Sequence, residues 1–182
     1  MDHEESVTRV EESSSDLPGN NYIKRAYIFF MDMDMGICVQ AAMKLAEAKV
    51  GKGKFHRESV THWTLGLRFG EESAVLVDFS DDVKGRPAPT QTWTTKDRLK
   101  ELKEECVKYA RLTITEDFTI VKLGNELSQL CHMGNYVLLD CNCQEGLKKL
   151  LDGLKLELPP AIKTLREAIN SVGADLMQGS KP

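Results

Sequence analysis

The feature that most constrains this chain is a run of strict alternation near its middle. Trp63, Leu65, Leu67 and Phe69 alternate with His62, Thr64, Gly66 and Arg68. Successive side chains leave an extended backbone on opposite faces, so a period of two predicts a β-strand; a helix would scatter the same four apolar residues around its circumference. Gly70-Glu71-Glu72-Ser73 supplies a turn, and Val75-Leu76-Val77-Asp78-Phe79 returns. The two runs predict a β-hairpin with one apolar face and one small or polar face.

The flanking patterns extend this to an α+β class: an antiparallel sheet with a central hairpin, packed against helices. Ala26-Tyr27-Ile28-Phe29-Phe30 reads as a buried strand, ended by Asp32-Met33-Asp34-Met35-Gly36. A helix is expected over 37–48, stopped by Gly51-Lys52-Gly53-Lys54. Residues 81–92 carry Pro87 and Pro89 and are expected to form a loop or an edge strand. Thr94 is placed to cap a helix, with Asp97 at N3 and Leu99, Leu102, Cys106 and Tyr109 as its apolar stripe. Residues 112–115 and 118–121 read as strands, 123–131 as a short helix, and 136–139 as a short apolar approach to Asp140-Cys141-Asn142-Cys143. Asn142 is expected to cap the next helix, with Glu145 in the capping-box position and Leu147, Leu150, Leu151 and Leu154 on one face. Pro159-Pro160 is expected to open a last helix through Ile162, Leu165, Ile169 and Val172.

Charge and composition limit the function. Hydrophobic residues are 41% of the 182, enough for a sizeable core. No apolar run nears the roughly 18 residues that would span a bilayer, and Asp2, His3, Glu4 and Glu5 at the start do not form a secretory signal. Residues 1–20 hold six acids and one base, whereas the rest holds 22 acids and 23 bases. Residues 1–20 therefore read as a disordered acidic leader, 21–176 as a single domain and 177–182 as a flexible tail. No basic stripe suggests a nucleic-acid partner. Five cysteines, an odd count, are expected to be free thiols in a reducing compartment, the cytoplasm or the nucleus.

The chemistry centres on Cys143. If Asn142 caps the helix, Cys143 is its first residue, where unpaired N–H groups favour a thiolate. A thiol nucleophile needs an imidazole to take its proton, and the candidates are His3, His56, His62 and His132. His3 falls in the leader, His56 among basic loop residues and His132 in a loop. His62 opens the hairpin, and a strand aims a side chain better than a loop.

Together the two blocks, His-Trp-Thr-Leu-Gly-Leu at 62–67 and Tyr-Val-Leu-Leu-Asp-Cys-Asn-Cys-Gln-Glu-Gly-Leu at 136–147, resemble the circularly permuted papain-like fold. That superfamily includes the lecithin:retinol acyltransferase-like and NlpC-related proteins and the permuted papain-like desumoylating and deubiquitinating peptidases. The order His before Cys matches the permuted arrangement. The resemblance implies Cys143 as nucleophile, His62 as base and a polar third member on the returning strand. It implies no metal and no cofactor, and a protein or acyl-containing substrate. Its chemistry ranges from amide and isopeptide cleavage to lipid acyl transfer or phospholipase-type activity; an inactive interaction module on the same scaffold is the alternative. The pattern departs from the family after Cys143, where Gly146 and Leu147 replace the usual aromatic residue. For the third member, matching Val-Leu-Val-Asp-Phe to the family's second strand favours Asp78, whereas pairing the strands about a turn centred on 71–72 sets Asp81 across from His62. A β-bulge would reconcile the two, and Asp78 is the residue chosen.

Three rival signals are weaker. Asp32-Met33-Asp34 resembles the haloacid-dehalogenase phosphatase motif but lacks its Gly-Thr. Cys38 precedes His62 by only 24 residues, too few for ordinary papain order. Cys131, His132, Cys141 and Cys143 match no common zinc spacing.

Overall fold

A computed structural model describes residues 22–32, 61–81, 87–130, 143–164, 166–168 and 170. The acidic leader, the helix expected at 37–48, the approach at 136–139, the cap Asn142, residues Leu165, Ile169 and Val172, and the tail at 177–182 lie outside the described residues. So do His3, His56, His132, Asp34, Cys38, Cys131 and Cys141.

Among the described residues six strands form one sheet: β1 (Ile23–Met31), β2 (His62–Phe69), β3 (Ser73–Asp81), β4 (Pro87–Thr95), β5 (Lys108–Ile114) and β6 (Leu156–Glu157). Their order is β4-β3-β2-β1-β5-β6, and every neighbouring pair is antiparallel. The alternating hairpin β2-β3 thus sits inside the sheet. Three helices are described: α1 (Lys96–Glu105), α2 (Ile120–Leu130) and α3 (Cys143–Leu154).

Both faces of the sheet are covered. The larger core joins Ile28 and Phe30, Trp63, Leu65 and Leu67, and Val75, Val77 and Phe79 to Leu123 and Leu127 of α2 and to Leu147, Leu150, Leu151 and Leu154 of α3. Each such side chain contributes roughly 1.5–3 kcal/mol by leaving water. The smaller core puts Tyr27, Phe29 and Ala74 beneath Leu99 and Leu102 of α1. The small face of the hairpin is therefore not its wet face, because Thr64 is 6% exposed and Gly66 is buried. A Cβ at Gly66 would lie 2.6 Å from Phe29 Cε2 and 2.9 Å from Leu99 Cδ2. The small residue admits a second layer rather than marking solvent.

Local hydrogen bonds correct several expected boundaries. Thr95, not Thr94, caps α1; its hydroxyl accepts from Arg98 N at 3.4 Å. Thr94 and Thr95 remain paired with Ala74 and Ser73 in the sheet, which delays the helix by one residue. That helix ends at Glu105, so Cys106 is its C-cap and Tyr109 belongs to β5, 44% exposed. Residues 118–121 are not a strand. Thr119 makes only an isolated bridge to Tyr22, and its carbonyl accepts from Leu123 N as α2 begins. Helix propagation and burial of Leu123 and Leu127 override the β-preference of Ile120 and Val121. The last helix starts after Thr164 rather than at Pro159-Pro160: Glu167 N donates to Thr164 Oγ1 at 3.2 Å and Thr164 N to Glu167 Oε2 at 2.9 Å, a capping box. β4 is an edge strand, where Pro89 costs no ladder bond. Its Trp93 is 54% exposed and meets Phe69 edge-on.

Candidate active site

His62 is the first residue of β2, and Cys143 is the first residue of α3. The sheet and the helix deliver them to the same rim. By alternation His62 belongs with Thr64 and Gly66 on the face under α1, whereas Cys143 packs with the core on the opposite face. A ring at the very end of its strand is not confined to one face, and here it hydrogen-bonds the Cys143 side chain.

Asp78 holds the other side of the ring. Its Oδ1 accepts from His62 Nε2 at 3.0 Å and from Thr64 Oγ1 at 2.5 Å. Register explains the convergence: Thr64 pairs with Asp78 directly, which puts both side chains on one face, with His62 two residues along that face. The same register corrects the pairing that set Asp81 across from His62. Phe69 pairs with Ser73, so the turn is the three residues Gly70, Glu71 and Glu72, with Gly70 in the left-handed region at φ 60°. The turn is centred on residue 71. Counted on along the strands from Thr64 and Asp78, that half-residue difference brings Ser80, not Asp81, level with His62, and no bulge is needed.

The site is partly open on the imidazole side. The His62 side chain is 29% exposed, that of Asp78 33%, and Cys143 4%. The His62 pKa is raised from 6.5 to about 10. The hydrogen bond to Asp78 is the main cause, the hydrogen bond to Cys143 the next, and their negative charges add to both; burial opposes them. The His62 ring therefore carries its proton near neutral pH.

Comparison with protein-family models, curated proteins and solved structures finds no match to this chain.

Two further residues belong to it. Gln144 is 4% exposed, and its Nε2 donates to the Thr61 carbonyl at 3.0 Å. This bond ties the residue after Cys143 to the residue before His62, across 83 positions of sequence. Thr64 is the second, through its bond to Asp78. Alternation alone would have found Thr64, two residues beyond His62; Gln144 had no signal beyond its place beside Cys143. Gly146 lets the helix start approach the sheet, since a Cβ there would lie 2.7 Å from Phe79 Cδ1. Leu147, Leu150, Leu151 and Leu154 then hold α3 down. Among the described residues, no group of three or more His, Cys, Asp and Glu side chains is arranged to hold a metal ion. No described helix is long and apolar enough to cross a membrane.

Proposed function

We propose that this chain is a thiol-dependent hydrolase or acyl transferase on a permuted papain-like scaffold, with an amide or isopeptide bond as its substrate. The supporting observation is the His62 ring held between the Asp78 carboxylate and the Cys143 side chain. Because a carboxylate only accepts, His62 Nε2 carries a proton toward Asp78, which leaves Nδ1 for the thiol. With the ring protonated near neutral pH, Nδ1 already holds the proton drawn from the Cys143 thiol, and Sγ attacks the substrate carbonyl carbon. The N–H groups of the first turn of α3 lack intrahelical partners and are placed to receive the oxyanion. Collapse of the tetrahedral intermediate breaks the C–N bond, and the imidazolium gives its proton to the departing amine. Water, or another acceptor, then gives its proton to His62, attacks the thioester and releases Cys143. Asp78 fixes the tautomer and stabilises the imidazolium; Thr64 fixes Asp78. With Cys143 almost covered, the substrate approaches from the exposed side of the imidazole.

The near-complete burial of Cys143 favours a second reading, a non-catalytic interaction module. A thiol-alkylating probe separates the two. The enzyme predicts that Cys143 is labelled faster than Cys38, Cys106, Cys131 and Cys141 near neutral pH, and that His62→Ala slows it. Equal labelling of all five, or a rate indifferent to His62, favours the module.

A further inference from the structure

At the far end of the same sheet, three arginines stand abreast on one face. Arg25 of β1 pairs directly with Arg68 of β2. Arg111 of β5 pairs with Tyr27, two residues along from Arg25 on the same face. Directly paired side chains are about 5 Å apart at Cβ and diagonal ones about 7–8 Å, and like charges so placed repel. Lys103 of α1 adds a fourth cation, 4.2 Å from the centre of the Tyr27 ring and 5.2 Å from that of Tyr109.

Among the described residues no carboxylate forms an ion pair with Arg25, Arg68, Arg111 or Lys103. Arg68 gives one N–H to the Glu71 carbonyl at 2.8 Å, while its Nε is buried with no partner. Arg25 hydrogen-bonds the Tyr27 hydroxyl. Burial pushes that hydroxyl's pKa up, but this hydrogen bond and the Lys103 and Arg25 charges outweigh it, so the pKa is lowered.

A cleft opens beside this row because two strands part. The β1-β5 ladder stops at Ala26 and Leu112, and the start of β1 turns to Phe118 and Thr119 instead. The gap, about 760 Å³, is lined by Tyr22, Lys24, Arg25, Arg111, Thr113 and Asp117 among others. Among the described lining residues there is one carboxylate, Asp117, against three cations, Lys24, Arg25 and Arg111.

We propose that this cleft is a phosphate site, in which Arg25 and Arg111 grip a phosphate or diphosphate group and Arg68 and Lys103 supply further positive field. A guanidinium presents a planar fork that matches two phosphate oxygens. A multiply charged anion also relieves the repulsion between the guanidinium groups, which a single carboxylate would do less completely. The site is separate from the thiol: Arg68 and His62 lie six residues apart on β2, roughly 20 Å at the rise of a strand.

The test is thermal unfolding and titration calorimetry of the full chain with pyrophosphate, against sodium chloride of equal ionic strength and against citrate. Pyrophosphate is expected to raise Tm by several degrees more than chloride, and more than citrate. Arg25→Gln with Arg111→Gln should weaken its binding at least tenfold while leaving the Cys143 labelling rate unchanged. Both arginines are exposed, so these variants should fold, and without anion they should be no less stable than the parent. A pyrophosphate effect no larger than that of chloride, or one that survives the double variant, overturns the site. Equal stabilisation by citrate overturns the assignment to phosphate.

Discussion

Replacing Asp78 by Asn keeps the shape of the His62 contact and removes its charge. The parent bond joins His62 Nε2 to a carboxylate oxygen at 3.0 Å, and the same oxygen accepts from Thr64 at 2.5 Å. A hydrogen bond to a charged group is worth about 1.5–3 kcal/mol, and the His62 side chain is 29% exposed, so water screens part of it. At 1.36 kcal/mol per unit, that lowers the His62 pKa by about 1–2 units from its raised value near 10. The sign follows from linkage. A pKa raised on folding stabilises the fold fully below the unfolded value of 6.5, and that contribution fades as pH rises to about 10. The parent and Asp78→Asn therefore differ by about 1.4–2.7 kcal/mol up to roughly pH 8, and the gap closes by about pH 10. The assay is the NMR titration of the His62 ring together with urea unfolding across this pH range. An unshifted His62 titration, or a stability gap that persists undiminished above pH 10, would refute the charge-based account of the site.

Three other substitutions probe the frame around it. Gly66→Ala should cost about 1–3 kcal/mol in urea unfolding, because its Cβ would press on Phe29 and Leu99 at 2.6 and 2.9 Å; unchanged stability would mean that the α1 layer yields freely. Gln144→Ala removes a buried donor to Thr61 and should cost about 1–3 kcal/mol. It should also slow alkylation of Cys143, whereas a lost stability with an unchanged labelling rate would confine Gln144 to a structural role. Leu150→Ala, at a fully buried position between α3 and the sheet, should cost about 2–5 kcal/mol by the same unfolding measurement; a loss below 1 kcal/mol would show that α3 is not held by this face.

The sequence determined the elements whose patterns are local. Alternation from His62 to Phe69 specified a strand and the side chains sharing its face, and the leucine spacing after Cys143 specified a helix with one buried stripe. Both follow from backbone geometry, which fixes where a side chain points two or four residues on. The identity of Asp78 as the carboxylate beside His62 lay one step further away: strand parity depends on the turn, and a half-residue change in its centre exchanges Asp78 for Asp81. Helix edges escaped for a similar reason. Thr95 rather than Thr94, and Thr164 rather than Pro159, were selected by sheet pairing and by a side chain three residues away.

What only tertiary structure decided was which distant residues meet. Nothing local to Gln144 names the Thr61 carbonyl as its partner, and nothing local to Arg25 foretells Arg68 and Arg111 beside it. Nor does alternation tell a small face covered by a helix from one covered by water, since glycine and threonine suit either. Contacts across tens of residues depend on strand order and packing, and these minimise the free energy of the whole chain rather than of any segment within it.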